Sequence, residues 1–424
     1  MGGPDVQMLL NAIHEVPEKQ GARSETLQRA LEAVRTHLGM EVAYLSEFVG
    51  DTSVFRAVDA PGLEHMIKPG DSRSLDDVYC RHILAGRLPE IIPDTSKEPI
   101  CQEMPITAAV PIGSHVSIPI VLPNGQPYGM FCCLSPFAND SLNARDLDVV
   151  RLFADLASHQ IAQEVAEQNE VASKQTLIRQ VLDQREFRLV FQPIVDFCKG
   201  KTRGYEALCR FDPLPYRSPD LWINDAKTAG LAVELELAII DKALGMWTDN
   251  LTSSYLALNT SPTTLCDPRL ELLLSERDLS SIVIEITEHN AVDDYKLLNE
   301  QLNNLRKLGA KVAIDDAGAG FSSLRHIVQL SPDLIKLDMA LTRGIDTDAS
   351  RRALASAFVF FARETGAEIV AEGIETEAEL QTLRALGVNS GQGYYLGRPL
   401  EWEALQMLLD CDCSSHAYLG QHHA

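Results

Sequence analysis

The sequence predicts an α/β protein with two folded parts: a C-terminal eight-stranded β/α barrel, preceded by an α+β domain built on an antiparallel sheet. Three observations lead to this prediction. Eight short apolar runs alternate with helical stretches over about 210 residues of the C-terminal half. Strand-like runs separated by turn signals occupy the N-terminal half. Between them lies a long segment without glycine or proline, which is typical of a single helix.

Length and composition set the number of domains and the class of protein. A chain of 424 residues is too long for one ordinary domain, so we expect two main units. The hydrophobic content of 45% supports sizeable cores. There is no apolar run of about 18 residues and no signal-peptide pattern, so we expect a cytoplasmic protein without membrane insertion. Nine cysteines without a paired framework indicate reduced thiols.

The net charge of −23 argues against one class of partner. Non-specific affinity for DNA comes from lysine and arginine side chains that neutralise phosphates, so we do not expect this chain to bind DNA. Any phosphate ligand must therefore bind to a small group of residues rather than to a broad basic surface. Carboxylates can do this indirectly, by holding metal ions that face the phosphate.

The composition pattern divides the chain into five segments. In order, they are a helical segment, a first domain, a connecting helix, the barrel and a flexible tail, placed at 1–24, 25–165, 166–186, 187–408 and 409–424.

The first domain is predicted to contain a helix, several strands and a second helix, in this order. Its strand candidates are VAYLSEF, SVFRAVD, SHVSIPIVL and YGMFCCLS. This mixed order favours an antiparallel sheet flanked by helices. The stretch from Ile112 to Ser135, a strand, a turn and a second strand followed by a helix, resembles a GAF domain, which is a small-molecule sensor fold.

The ligand of this first domain stays open at the level of sequence. Between Ser74 and Val116 the candidates for a pocket lining, with core packing as the alternative, are Tyr79, His82, Asp94 and His115. The run Cys80-Arg81-His82 is similar to the thiol site that anchors a bilin in some GAF photoreceptors. A buried cysteine beside a surface histidine is the more ordinary explanation.

The connecting segment predicts a helix with a heptad-like apolar stripe. The stripe consists of Leu147, Val150, Ala154, Ala157, Ile161, Val165, Ala172 and Ile178. It favours a parallel homodimer in which the helix carries a signal from the sensor to the barrel. The alternative is a helix packed on its own domain.

Chemistry-bearing side chains stand at the ends of six successive strand candidates in the barrel, where active sites of such barrels lie. They are Glu206, Asn259, Glu285, Asp315 with Asp316, Lys336 and Glu372. A packed interior cannot bury so much charge without metal ions or partners. Oxygen ligands suit Mg²⁺ or Mn²⁺, and one carboxylate of the adjacent aspartates can bridge two ions. The residues therefore indicate two-metal phosphodiester cleavage.

The barrel resembles the EAL family of cyclic di-GMP phosphodiesterases from about Phe187 to Leu400. The matching motifs are Gln192-Pro193-Ile194-Val195, Glu206-Ala207-Leu208-Cys209-Arg210-Phe211, Asn259-Thr260-Ser261-Pro262, Glu285-Ile286-Thr287-Glu288, Asp315-Asp316, Lys336-Leu337-Asp338, Glu372-Gly373-Ile374-Glu375 and Gln392-Gly393-Tyr394. One short motif would be weak support, whereas eight in order at this spacing are specific. The resemblance implies hydrolysis of cyclic di-GMP to linear pGpG, controlled by the GAF-like domain.

The resemblance also implies roles for individual residues. One metal ion would be held by Glu206, Asn259, Glu285 and Asp315, and the second by Asp315, Asp316 and Glu372. Lys336 matches the lysine that touches the nucleophilic water, and Glu372 has also been assigned as a general base in this family. Substrate contacts would come from Arg210, Leu208, Gln192 and Gln392. Glu288 and Asp338 would support the site without binding the metal.

One motif departs from the family pattern. The usual Asp-Asp-Phe-Gly-Thr-Gly loop reads Asp315-Asp316-Ala317-Gly318-Ala319-Gly320 here. Since every carboxylate is kept, we expect the change to affect rate or regulation rather than ligand identity. It also motivates the alternative function, a receptor that binds cyclic di-GMP without cleaving it. An inert scaffold is disfavoured by the intact acidic set.

Overall fold

The chain folds into two compact units that divide between Glu170 and Val171. The computed structural model describes residues 20–247, 254–275, 277–286, 295–318 and 322–410. Most of the predicted segments 1–24 and 409–424 therefore lies outside the described residues. No helix within the described residues has the length and apolar character needed to cross a membrane.

A six-stranded antiparallel sheet forms the centre of the first unit. Its strands are β1 (Val42–Val49), β2 (Thr52–Asp59), β3 (Ser72–Ser74), β4 (Ile91–Ile92), β5 (Ser114–Val121) and β6 (Pro127–Ser135). They lie in the order β3-β2-β1-β6-β5-β4, and each neighbouring pair is antiparallel. The four predicted strands are confirmed, while β3 and β4 are too short to produce a recognisable pattern.

Both faces of this sheet are buried, because alternate side chains of each strand point to opposite sides. One face packs on helices α1 (Gln20–Leu38) and the start of α5 (Ala144–Gln184). The other face packs on short helices, namely α2 (Cys80–Leu84), α3 (Pro99–Glu103) and α4 (Pro105–Ala109). Cys132 and Cys133 are fully buried, one on each face.

Gly129 permits a close approach between β6 and β1. It lies opposite Glu47, and a Cβ atom at this position would stand 1.7 Å from the carbonyl oxygen of Ser46. Because a backbone oxygen in a sheet cannot swing aside, we expect Gly129→Ala to lower the free energy of unfolding by about 1–3 kcal/mol. Urea denaturation measures this change. Gly245→Ala, which adds a Cβ into open space, is the control, and equal stability of the two variants would contradict the prediction.

The second unit is a closed barrel of eight strands. They are β7 (Phe187–Asp196), β8 (Lys201–Phe211), β9 (Tyr255–Thr260), β10 (Ile282–Ile286), β11 (Lys311–Ala317), β12 (Leu334–Leu337), β13 (Glu368–Ala371) and β14 (Ser390–Gly391). Pairing of β14 with β7 closes the ring, and β15 (Leu400–Glu401) adds to β7 from outside the eight. The predicted barrel is confirmed.

The first two barrel strands depart from the predicted alternation of strands and helices. β7 and β8 are antiparallel, and the connection 197–200 is far too short for a crossover helix. Strands β8 to β14 are parallel. The helices that follow them are α6 (Pro219–Ala229), α7 (Ala232–Met246), α8 (Pro262–Leu265), α9 (Pro268–Leu274), α10 (Tyr295–Lys307), α11 (Ser322–Leu330), α12 (Met339–Thr342), α13 (Ala349–Thr365), α14 (Glu377–Leu386) and α15 (Trp402–Asp410).

The connecting segment is one uninterrupted helix, α5, and five residues of its stripe follow the alternative prediction, packing within their own chain, rather than the dimer seam. Val150, Ala154, Ala157 and Ile161 are buried in the core of the first unit. Ile178 is buried in a core cluster of the second unit. The apolar surfaces of these five side chains are buried by their own chain, so these side chains cannot also form a seam with a second copy.

Candidate active site

A layer of apolar side chains fills the barrel interior below the polar groups. Its members come from six strands: Ile194, Ala257, Val283, Ala313, Leu334 and Val370. A residue two positions further along a strand points to the same side. For five of these strands that residue is a predicted site residue, namely Asn259, Glu285, Asp315, Lys336 and Glu372. The strand period therefore directs these side chains into the interior at the carboxyl ends of the strands.

Lys336 is the electrostatic centre of the cluster. Its Nζ lies 2.7 Å from a carboxylate oxygen of Glu285 and of Glu372, 3.1 Å from Asp315 and 3.5 Å from Glu206. Burial alone would lower the pKa of this ammonium, but the surrounding carboxylates raise it well above its ordinary value. The carboxylates therefore favour the charged form of this buried side chain.

The pKa values of the carboxylates around Lys336 shift in different directions. Burial raises the pKa of Glu285 and of Glu372 well above the usual range, although Lys336 opposes the shift. Burial acts on Glu206 as well, but Lys336 and two amide donors outweigh it and lower the pKa. A single ammonium cannot balance this many buried carboxylates, so the cluster has room for further positive charge.

Two amide side chains hold Glu206 in place. Asn259 donates from Nδ2 to Glu206 Oε1 at 2.7 Å, and Gln392 donates from Nε2 to Glu206 Oε2 at 2.6 Å. Gln392 Nε2 also lies 3.1 Å from Glu372 Oε1. Gln392 Oε1 is buried and lacks a partner within the described part of the chain. A buried acceptor left in this state costs free energy unless a ligand or water satisfies it.

A β-bulge brings two successive aspartates to the same site. In a regular strand Asp315 and Asp316 would point to opposite faces. The pairing of β11 with β12 shifts register between Ile314 and Ala317, and Asp316 adopts a left-handed φ of 56°. As a result Asp315, Asp316 and Glu372 each offer an oxygen within 4.8 Å of the others, so this acidic cluster could hold a metal ion.

Both units match known domain families. Residues 175–399 match the model of the EAL domain, and residues 22–162 match that of the GAF domain. The chain belongs to the EAL domain family. The two resemblances predicted from the motifs are thereby confirmed.

The curated relatives match about half of this EAL chain. The bifunctional diguanylate cyclase/cyclic di-GMP phosphodiesterase MucR of Pseudomonas aeruginosa is 33% identical over 240 residues, which is 54% of this chain and 35% of MucR. An uncharacterized protein of Mycobacterium tuberculosis is 30% identical over 242 residues, 53% of this chain and 79% of that protein. The cyclic di-GMP phosphodiesterase PdeF of Escherichia coli is 29% identical over 235 residues, 52% of this chain and 31% of PdeF. The chain thus spans about a third of the length of two of these relatives.

A solved structure extends the likeness in fold to most of the EAL chain. The EAL enzyme Bd1971, solved with cAMP and cyclic di-GMP bound, matches with a TM-score of 0.55 and 18% identity. The match covers 87% of this chain and 93% of Bd1971. At this level of identity the match supports the fold alone.

Of the four predicted substrate contacts of the EAL barrel, Gln392 belongs to the carboxylate cluster through its bonds to Glu206 and Glu372. The other three have no bond to these carboxylates within the described residues. Arg210 and Leu208 are half-buried on β8, and Arg210 donates to the carbonyl oxygen of Cys209 at 2.8 Å. Gln192 lies opposite Glu206 in the sheet and reaches the carbonyl oxygen of Gly397 at 3.4 Å.

Of the two residues predicted to support the site, Asp338 lies within the described residues and Glu288 does not. Asp338 caps α12, because its Oδ1 accepts a hydrogen bond from the amide of Ala340 at 2.7 Å. Glu288 lies outside the described residues, as do Ala319 and Gly320 of the altered loop.

Glu236 is a supporting residue that the sequence did not reveal. Its Oε2 accepts hydrogen bonds from the backbone amide of Ser261 at 2.9 Å and from the Ser261 hydroxyl at 2.8 Å. These bonds fix the chain two residues after Asn259. In the sequence, Glu236 is one of several acidic residues on a helix and carries no signal of this contact.

Ala317 replaces the usual aromatic residue of the EAL loop, and it is fully buried in a core cluster that also contains Leu341 and Phe358. We expect Ala317→Phe to lower the free energy of unfolding by about 1–3 kcal/mol, because the added ring must displace packed neighbours. Thermal unfolding measures the change, with Ala378→Phe at an exposed position of α14 as the control. A stability gain in Ala317→Phe would show that space for the ring is present.

Proposed function

We propose that this protein hydrolyses cyclic di-GMP to linear pGpG, using divalent metal ions held at the mouth of the barrel. The observation that carries the proposal is the set of carboxylates around Lys336. Two of them, Asp315 and Glu372, form with Asp316 a cluster that could hold a metal ion. The named activities of MucR and PdeF support the choice of substrate.

The chemistry of the donor set fits Mg²⁺ or Mn²⁺. Every donor is a carboxylate or amide oxygen, and these hard ligands suit both ions. Asp315, Asp316 and Glu372 would hold one ion, while Glu206, Asn259, Glu285 and Asp315 would hold the other. The Asn259 amide nitrogen is used by Glu206, so its carbonyl oxygen is the atom left for a ligand. When bound, such ions polarise phosphoryl oxygens and lower the pKa of water.

The protein's own residues would bind and orient the phosphodiester. The buried ammonium of Lys336 is fixed by its carboxylate neighbours and would stabilise negative charge developing on the phosphoryl group. Arg210 would pair with a substrate phosphate through its guanidinium fork, beside Leu208 and Gln192. Glu372 would bind a metal ion. The alternative role for Glu372 is that of a general base.

Thermal unfolding with and without Mg²⁺ or Mn²⁺ tests the metal site. An ion that binds only the folded protein raises the midpoint temperature. We expect this rise in the parent and in Asp346→Asn, an exposed control, and a much smaller rise in Asp316→Asn. Equal rises in all three proteins would place the binding elsewhere, and no rise in the parent would remove the metal from the proposal.

The second candidate function is a receptor that binds cyclic di-GMP without cleaving it, and the observation that favours it is the altered loop after Asp316. Equilibrium dialysis and chromatography of the same sample separate the two functions. Retained ligand that stays intact with either ion supports the receptor, whereas pGpG supports the enzyme.

Control of the barrel by the GAF unit, and a homodimer of the chain, belong to the same proposal. The uninterrupted helix α5, which contains residues of both units, supports a coupling between them. The test is deletion of the residues before Glu170, followed by turnover and light scattering. Unchanged rate and unchanged oligomeric state would end this part of the proposal.

A further inference from the structure

A cavity of about 180 Å³ lies inside the first unit, on the face of the sheet that carries the short helices. Strands β1, β2, β5 and β6 contribute its floor, and the segments 63–67 and 106–112 contribute its cover. Of the sequence candidates for a pocket, Tyr79 and His115 line this cavity, whereas His82 and Asp94 do not.

His115 places a polar atom without a partner at the cavity. The side chain is 2% exposed, and its Nδ1 makes no hydrogen bond within the described part of the chain. The ring is held edge-on against Tyr79, with the ring centroids 5.1 Å apart. Tyr79 itself is fixed by a hydrogen bond of 2.6 Å between its hydroxyl and Thr107. A buried nitrogen in this state is destabilising until a ligand satisfies it.

The remaining lining favours an aromatic ring. Tyr44 and Phe55 meet at the cavity in a tilted arrangement, with their centroids 4.8 Å apart. Aromatic side chains prefer such tilted or edge-on neighbours. Met66, at the cover, is 46% exposed and offers a thioether of the kind that contacts ring edges.

The size of the cavity restricts the ligand to one ring. A cavity of about 150 Å³ accommodates benzene. The volume of about 180 Å³ therefore suits one ring with small substituents, and much of a purine nucleotide would have to lie outside it. Arg73 also lines the cavity from the exposed edge strand β3, and it makes no ion pair with the described residues. Its guanidinium suits a carboxylate that remains partly in water.

We propose that this cavity binds a monocyclic aromatic acid of the hydroxybenzoate class. The ring would lie against Tyr44 and Phe55, the carboxylate would pair with Arg73, and the hydroxyl would share a hydrogen bond with His115 Nδ1.

Isothermal titration of the full chain with 4-hydroxybenzoate, benzoate, phenol and guanosine 3′,5′-cyclic monophosphate tests the proposal. We expect 4-hydroxybenzoate to bind most tightly, the two single-substituent compounds to bind more weakly, and the nucleotide not to bind. Arg73→Gln is exposed and should fold. It should weaken 4-hydroxybenzoate roughly tenfold while leaving phenol unchanged.

A pair of neighbouring variants locates the binding. Val110 lines the cavity and Ala109 does not. Val110→Trp should abolish binding of 4-hydroxybenzoate, whereas Ala109→Trp should keep it. The proposal is overturned if no aromatic acid binds at millimolar concentration, if both tryptophan variants bind equally well, or if the nucleotide binds better than the acids.

Discussion

Glu206→Ala is expected to lower the turnover of cyclic di-GMP by at least about 10²–10³-fold. The substitution removes a buried carboxylate that accepts hydrogen bonds from both Asn259 and Gln392 and lies 3.5 Å from Lys336. Both amides and the ammonium then lose a fixed partner. The release of pGpG, followed by chromatography at saturating substrate, measures the loss.

The control for this prediction is Glu364→Ala, because Glu364 is an exposed carboxylate on α13. Its turnover should equal that of the parent. Circular dichroism of both variants shows whether the barrel remains folded. If a folded Glu206→Ala protein keeps more than a tenth of the parental rate, the assignment of Glu206 to the reaction is wrong.

Lys336→Met is expected to reduce turnover to a similar degree and also to destabilise the barrel. The substitution removes the ammonium that lies within 3.5 Å of four carboxylates. Breaking a buried ion pair by removing one partner typically costs about 3–5 kcal/mol. Urea denaturation in the presence of a chelator should show this loss. Added Mn²⁺ should restore part of the stability without restoring turnover.

The double variant Lys336→Met/Glu285→Gln tests, through its stability, whether charge repulsion destabilises the single variant. Removing one of the carboxylates closest to Nζ relieves repulsion, so stability should recover relative to the single variant while turnover stays low. Recovery of turnover in the double variant would mean that Lys336 acts only as a structural counter-charge.

The position of the acidic cluster was predictable because side chains alternate along a barrel strand, so their spacing in the sequence decides whether they point inward or outward. A polar residue two positions after an inward apolar residue must also point inward, as Val283 and Glu285 show on β10. The order of the motifs then supplied the family. The central position of Lys336 among the carboxylates follows from the closure of the barrel, which brings its strand within reach of β8 and β10.

Other features depended on the three-dimensional structure. No sequence pattern indicates the bulge at Asp315 and Asp316, because it arises from a register shift against β12. The contact between Glu236 and Ser261 joins helix α7 to a loop through tertiary packing. The stripe of α5 was assigned to a second chain, because an apolar helix face has the same period whether its partner is another copy or its own domain.

The measurement that tests the central claim most directly is turnover of cyclic di-GMP by the purified parent protein with Mn²⁺, with Mg²⁺ and with a chelator. The account predicts linear pGpG with at least one of the ions and none with the chelator. Intact cyclic di-GMP with both ions, or product that forms equally well in the chelator, would contradict a metal-dependent phosphodiesterase.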